Sequence, residues 1–197
     1  SQAVAGKEIK VNIPQLKRTL TLTTDAQGKA SAELKVKGLR RWSTDDPWLY
    51  RVELTADGDC VTDEIGFRNI EAKGTQILLN GKPVFLRSVS FHEEIPQRMG
   101  RACTPGDAMM LLSEATDLGV NMVRLAHYQQ NEYIVRQAER MGIMLWQEIP
   151  VWQAIDFSNM ETMETAAKML TETILSERKR CAACIWGIDI ETHTTQR

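Results

Sequence analysis

The first third of the chain alternates polar and apolar residues with a period of two, the pattern of β-strands with one buried face. Turn residues separate the alternating runs, as in the segment Asp25-Ala-Gln-Gly28. Short alternating strands with regular turns are typical of antiparallel sandwiches. We therefore predict strands over residues 18–24, 30–36, 48–54 and 60–68.

From about residue 75 the apolar spacing changes to helices that alternate with short apolar strands. Thr104 followed by Pro105 predicts one helix start, Asn131 a second, and the third helix is predicted over residues 160–177. Gly119 and Gly142 are expected to end the first two helices. The expected inward face of the third helix consists of Met163, Ala166, Ala167, Leu170 and Ile174. Apolar strands are predicted over residues 84–90, 120–126, 143–146 and 181–188.

Strands that are apolar throughout are buried on both faces of a parallel sheet, which a doubly wound fold and a (β/α)₈ barrel both provide. No glycine-rich loop follows the first of these strands, which argues against a dinucleotide-binding sheet. A barrel has eight strands, and this pattern supplies four. The predicted fold class is multidomain β plus α/β. A partial immunoglobulin-like β-sandwich occupies residues 1–72, and the first half of a TIM barrel occupies residues 75–197.

Composition and charge exclude several classes of function. The formal net charge is −2, so no basic field favours nucleic acid or an anionic membrane surface. No apolar run approaches the ~20 residues of a membrane-spanning helix. The pair Cys181 and Cys184 lies in an apolar run and has no second ligand pair, which favours a buried strand over a metal site. The compartment stays open between cytoplasmic and periplasmic.

Polar residues gather directly after the four predicted strands, where ligands bind in both architectures. In chain order the four groups are His92-Glu93-Glu94, His127-Tyr128, Gln147-Glu148 with Trp152, and Asp189 to His193. Together they contain all three histidines of the chain. Each alone is compatible with a structural role, and Glu93 and Glu94 are compatible with a solvated loop. Together, carboxylates with nearby tryptophan and histidine suit a sugar. Glu191 and Glu148 are the candidate pair of carboxyl groups, and a metal site from Glu191, His193 and Glu148 is a weaker alternative.

Several separate segments carry a family resemblance. Gly66-Phe67-Arg68 and the run from Leu79 through Arg87 to Glu93 resemble the sandwich-to-barrel junction of family-2 glycoside hydrolases. Residues 121–128 resemble the second barrel strand of that family, and residues 185–192 resemble the fourth. Within that family, these segments resemble those of β-galactosidases and β-glucuronidases.

The resemblance implies a retaining β-glycosidase, with β-galactosidase as the first expectation and β-glucuronidase as the second. Glu191 matches the general acid/base of the family. His92 and His127 match residues that line the sugar pocket, Arg124 matches an arginine that orients the nucleophile, and Trp152 is expected to line the site. No cofactor or metal is expected. The expected partner is a β-glycoside, and the chain is expected to form a homo-oligomer or to need the missing half barrel.

The chain also departs from the family pattern. Ile190 stands where the family has an asparagine that bonds the sugar 2-hydroxyl, Ser88 replaces a glycine and Gln129 replaces a proline. The family's nucleophile follows the seventh barrel strand, whereas this pattern contains four strands. We therefore expect a fragment that lacks the nucleophile. The alternative is a non-catalytic half-barrel module that binds carbohydrate or associates with itself.

Overall fold

A computed structural model describes residues 3–188 of the chain, and these residues divide into two compact units. The first unit comprises residues up to 41 together with residues 48–67. The second comprises residues 42–47 together with the chain from residue 68 onward. The predicted domain limits at residues 72 and 75 stay predictions.

The first unit is built on one antiparallel sheet of four strands in the order β2-β1-β3-β4. Asp57 and Gly58 join the last two strands, and both have positive φ angles, of 51° and 91°. Such a two-residue loop matches the right-handed twist of the strands that flank it. The strands are β1 (Glu8–Ile13), β2 (Arg18–Thr23), β3 (Tyr50–Ala56) and β4 (Asp59–Ile65).

Three of the four strands predicted for this unit are confirmed, and the strand predicted over residues 30–36 is wrong. In that segment Leu34 and Val36 are half-buried between exposed neighbours, but no ladder forms there within the described chain. The alternation therefore marks an extended segment that has one half-buried face and no paired strand within the described chain. The strand β1, which was not predicted, pairs with both β2 and β3 and so lies inside the sheet.

The second unit contains a parallel sheet of four strands in the order β13-β12-β11-β8. A three-stranded antiparallel sheet, β5-β6-β7, and a short hairpin of β9 and β10 accompany it. The strands are β5 (Ile70–Lys73), β6 (Gln76–Leu79), β7 (Lys82–Val84), β8 (Ser88–Phe91), β9 (Glu94–Ile95), β10 (Gly100–Arg101), β11 (Met122–Leu125), β12 (Met144–Glu148) and β13 (Ala183–Gly187). The single strand predicted over residues 84–90 is therefore divided between β7 and β8.

The three predicted helices are confirmed as α1 (Pro105–Asp117), α2 (Glu132–Met141) and α3 (Met160–Glu177). Thr104 caps α1 in a capping box, because its hydroxyl accepts from the Asp107 amide while the Asp107 carboxylate accepts from the Thr104 amide. Asn131 caps α2 through the Tyr133 amide. Local signals alone thus set the starts of both helices.

The predicted inward face of α3 is partly wrong. Met163 and Ala167 were expected inside and are exposed, whereas Thr173 and Glu177 are the buried residues of this helix. The Thr173 hydroxyl lies 3.4 Å from the Gln129 amide oxygen, to which it donates. Ala166, Leu170 and Ile174 of the predicted stripe are half-buried, so α3 faces the unit with the side that also carries Thr173 and Glu177.

The segment that begins at Cys181 is tied to α2 by buried polar contacts. The Glu139 carboxylate accepts from the Cys181 amide at 2.7 Å and from the Arg180 guanidinium at 3.2 Å. Both side chains of this ion pair are buried. Burial raises the pKa of the Cys181 and Cys184 thiols, and both cysteines are free, as expected of small hydrophobic residues near a strand.

Gly142 ends α2 with a φ of 74°, and a Cβ at this position would collide with the Thr44 carbonyl. Gly119 has nearly the same φ, 75°, but faces open space. We expect Gly119→Ala to lower the free energy of unfolding by about 1 kcal/mol, from the left-handed backbone alone. Gly142→Ala should lower it by about 1–3 kcal/mol more, because the backbone must also move. Equal losses in urea unfolding of the two variants would contradict the close contact with Thr44.

No helix in residues 3–188 is both long enough and apolar enough to cross a membrane.

Candidate active site

The loops that follow β8, β11 and β12 meet at one edge of the parallel sheet. The strands run in parallel, with Arg124 opposite Ser90 on one side and opposite Trp146 on the other. Their carboxyl ends therefore point the same way, which is where parallel α/β folds bind ligands. His92, His127 and Trp152 follow these strand ends, as predicted from the sequence.

Glu148, the last residue of β12, is the most enclosed carboxylate of this edge, with 1% of its side chain exposed. Its Oε1 accepts from Arg124 Nε at 2.5 Å, and its Oε2 accepts from Arg124 Nη2 at 3.4 Å. His127 Nδ1 lies 3.1 Å from the same Oε2. Such a forked pair holds the guanidinium plane in one orientation.

His127 Nδ1 lies between a donor and an acceptor. Arg124 Nη2 is 3.2 Å from it, and Glu148 Oε2 is 3.1 Å from it. A proton on Nδ1 suits the contact with the carboxylate, which accepts when it is ionised, whereas an unprotonated Nδ1 suits the contact with the guanidinium, which only donates. The cluster thus holds a guanidinium and an imidazole against one buried carboxylate.

Aromatic rings surround this cluster. The Trp152 indole stacks on His127 with ring centroids 5.5 Å apart and an interplanar angle of 19°. His92 packs edge-on against His127 at 5.3 Å and stacks with Tyr128 at 6.0 Å. Because 39% of Trp152 stays exposed, the indole keeps surface that a ligand can contact.

Glu93 is buried, so the interpretation of Glu93 and Glu94 as part of a solvated loop is wrong for Glu93. Its side chain is 4% exposed and ion-paired to Arg101, with the carboxylate Oε1 2.9 Å from the guanidinium Nη2. Glu94 beside it is exposed. Sequence reasoning missed Arg101 as the partner, because the pairing depends on the β9–β10 hairpin and no spacing rule predicts it.

The structure brings four of the five predicted site residues together: Arg124, His127 and Trp152 in direct contact, and His92 against His127. Glu191, the predicted acid/base, and Ile190 lie outside the described residues, as does His193. Within residues 3–188 no group of three or more metal-binding side chains is placed to hold an ion.

The described chain has two clefts next to this edge. One, of about 340 Å³, is lined by Tyr128, Ile149 and Thr173 among others. The other, of about 400 Å³, is lined by Glu93, Arg101 and Asn131 among others. Neither of these two clefts is lined by Arg124 or Glu148.

Two family models match consecutive parts of the chain. The model of the glycosyl hydrolases family 2 TIM barrel domain matches residues 70–187, and a further model of glycosyl hydrolases family 2 matches residues 2–68. Together they cover nearly all of the chain.

Curated relatives of this family match most of the chain. A β-galactosidase of Thermoanaerobacterium thermosulfurigenes is 30% identical over 79% of the chain, which spans 22% of that relative. A putative β-glucuronidase of Formosa agariphila is 34% identical over 80% of the chain, which spans 20% of that relative. The chain thus spans about a fifth of the length of the curated relatives that it matches.

Solved structures superpose on the chain as a whole. A GH2 β-galacturonidase from Eisenbergiella tayi, bound to galacturonate, has a TM-score of 0.81 at 25% identity. It covers 100% of this chain, which covers 36% of that structure. A β-glucuronidase of Parabacteroides merdae with glycerol in its active site has a TM-score of 0.81 at 29% identity. The match covers 94% of this chain and 25% of the chain of that structure.

The matched models agree with the observed order of elements, an antiparallel β unit followed by alternating parallel strands and helices. The chain belongs to family 2 of the glycosyl hydrolases and carries a partial immunoglobulin-like sandwich followed by the first half of a TIM barrel.

Proposed function

We propose that this chain contributes to a retaining β-glycosidase that hydrolyses terminal β-glycosidic bonds, with β-galactosides as the first substrate class and β-glucuronides as the second. The observation that carries the proposal is the contact between Arg124, His127 and Glu148 at the carboxyl edge of the parallel strands. The stacked indole of Trp152 lies beside it. An oriented cation, imidazoles and an aromatic surface are the groups that hold a sugar next to its reacting bond.

The described residues are proposed to contribute to sugar binding in different ways. His127, whose Nδ1 contacts the Glu148 carboxylate, is proposed to line the sugar pocket, and His92 lies against it. Trp152 offers the apolar surface on which a pyranose ring packs. Arg124, which donates two bonds to Glu148, is proposed to orient a second carboxylate, the role that the family resemblance gives it.

Glu191 is proposed as the general acid/base. It follows β13 and would protonate the glycosidic oxygen as the leaving group departs. It would later take a proton from the water that releases the sugar from the nucleophile. Retention requires a second carboxylate about 5–5.5 Å away as the nucleophile, and the resemblance expects it after a seventh barrel strand. We call the protein that combines this chain with that carboxylate the complete enzyme.

The choice between galactoside and glucuronide rests on relatives alone. The curated relatives include proteins named β-galactosidase and β-glucuronidase at similar identity. Ile190 offers no hydrogen bond to a sugar 2-hydroxyl, so the substrate-binding contribution that the resemblance assigns to an asparagine there must come from other residues.

The test is hydrolysis of four aryl β-glycosides (galactoside, glucuronide, glucoside and mannoside) by the complete enzyme and by its Glu191→Gln variant. We expect the galactoside or the glucuronide to be the best substrate. Removal of the acid/base should lower kcat/KM by about 10²–10⁴-fold, because general acid catalysis typically contributes that much. Glu114→Gln, an exposed position on α1, is the matched control and should leave activity unchanged.

The same assay distinguishes the glycosidase from the second candidate function, a non-catalytic half-barrel that binds carbohydrate or associates with itself. What favours it is that β8 and β13 are the outer strands of the parallel sheet in the described chain, and outer strands offer backbone groups to another strand. No turnover of any of the four glycosides by the complete enzyme, with binding of the sugars retained, would support the module and refute the glycosidase.

A further inference from the structure

We propose that Glu93 is a positioning residue that fixes His92 in the sugar site by joining three loops at the carboxyl edge of the barrel strands. This inference rests on the proposed function, because it assigns His92 to substrate binding.

The Glu93 carboxylate is bonded on both oxygens. Its Oε1 accepts from Arg101 Nε at 3.0 Å and from Nη2 at 2.9 Å, which ties the loop after β8 to the β9–β10 hairpin. Its Oε2 accepts from the backbone N–H of Asn131, the residue that caps α2. One side chain therefore connects the loops after β8 and β11 with the hairpin between β8 and α1.

A buried carboxylate is suited to this place for two reasons. The amino end of α2 carries partial positive charge, which favours an anion beside the Asn131 amide. The Arg101 guanidinium, with 66% of its side chain exposed, supplies the compensating charge from the solvent side. A glutamine would retain one oxygen, and its NH₂ group would face either the guanidinium or the amide, which are both donors.

Tyr128 links this connection to His92. The Tyr128 hydroxyl accepts from the Glu93 amide at 3.3 Å, and the Arg101 guanidinium lies 5.2 Å from the centre of the Tyr128 ring. The same ring stacks with His92, at 6.0 Å and 29°. The Glu93 backbone N–H and the arginine that the Glu93 carboxylate binds therefore both contact Tyr128, and the Tyr128 ring sets one wall of the space that His92 occupies.

The experiment compares Glu93→Gln, Glu93→Asp and Arg101→Gln with the control Glu114→Gln in the complete enzyme. We expect Glu93→Gln to lower kcat/KM on the best aryl β-glycoside about tenfold, because small displacements of binding groups are costly in rate. Arg101→Gln, at an exposed position, should lower it in the same direction without a risk to folding. Glu93→Asp keeps the charge and should recover part of the loss, and Glu114→Gln should match the wild type.

Two NMR readouts separate positioning from general loss of structure. Exchange of the Asn131 amide proton should be faster in Glu93→Gln than in the wild type. The ring protons of His92 should change chemical shift, because they sense the ring current of Tyr128. If the wild type hydrolyses no glycoside, the proposed function fails, and these two readouts still decide whether Glu93 holds Tyr128 and His92. Wild-type kcat/KM in Glu93→Gln, or unchanged Asn131 exchange and His92 shifts, would overturn the inference.

Discussion

Glu148→Gln is expected to lower kcat/KM of the complete enzyme by about 10²-fold, since misplacement of a positioned group by roughly 1 Å has an effect of that size. Glutamine has one acceptor oxygen, so it cannot accept from both sides of the Arg124 fork and from His127 Nδ1 together. Arg124 would lose its orientation, and His127 would lose its contact with a carboxylate oxygen. The measurement is steady-state kinetics on the best glycoside.

Two controls make this result specific. Glu114→Gln removes the same charge at an exposed site and should retain wild-type kinetics. Thermal unfolding of Glu148→Gln must show a folded protein at the assay temperature, because a half-buried guanidinium left without its partner also lowers stability. A folded Glu148→Gln enzyme with wild-type kcat and KM would contradict the assignment of Arg124 and His127 to the site.

Arg180→Met is expected to lower the free energy of unfolding at pH 7 by about 3–5 kcal/mol, the effect of leaving one buried charge without its partner. Arg180 and Glu139 are both buried, and Glu139 also accepts from the amide of Cys181. Methionine fills much of the volume of the arginine stem but supplies no charge. Urea unfolding, followed by tryptophan fluorescence, measures the difference.

The decrease in the free energy of unfolding that Arg180→Met causes should depend on pH. Burial raises the pKa of Glu139 above its ordinary value near 4.5, and the Arg180 guanidinium opposes that rise. A carboxyl whose pKa is higher in the folded state loses stability as pH increases from the unfolded pKa through the folded pKa. Without Arg180 the folded pKa is higher still, so the difference between variant and wild type should grow as the pH rises above the folded pKa of Glu139 in the wild type, which itself lies above 4.5.

Lys168→Met is the matched control, because Lys168 forms an exposed pair with Glu172 on α3. Exposed pairs of this spacing contribute about 0.3–0.5 kcal/mol, so this variant should unfold almost as the wild type does at every pH. A loss in Arg180→Met that stays the same from pH 4.5 to pH 7 would show that Glu139 is not the group that responds.

The helices could be predicted from the sequence because their limits are set locally. Thr104 with Asp107, Asn131 and Gly142 each satisfy backbone groups within a few residues of their own position. The apolar strands β11 and β12 were equally clear, because a run that is buried on both faces requires apolar residues at every position. Neither inference needs knowledge of distant contacts.

Strand pairing in the first unit was harder to predict, because a ladder needs a neighbour as well as a pattern. Residues 30–36 alternate well and form no ladder in the described chain, whereas β1 alternates equally and lies between two strands. The inward face of α3 could be predicted only in part for a similar reason. Its apolar stripe includes Met163, which is exposed, whereas Leu170 and Ile174 are half-buried beside the buried Thr173.

The site could be located but not assembled from the sequence. Strand ends identified His92, His127 and Trp152, and the resemblance identified Arg124. The partners of these residues were not predicted, because the bonds from Glu148 to Arg124 and from Glu93 to Arg101 depend on how side chains turn across neighbouring loops. Glu191 remains a prediction, since it lies beyond the described residues.

The most direct test of the proposed mechanism is the configuration of the sugar that the complete enzyme releases first from an aryl β-galactoside or β-glucuronide. Proton NMR in the first minutes distinguishes the two anomers before they interconvert in solution. Two successive displacements by a nucleophile and by water predict that the β anomer forms first. Appearance of the α anomer first would contradict a retaining site, because a single displacement by water inverts the anomeric carbon.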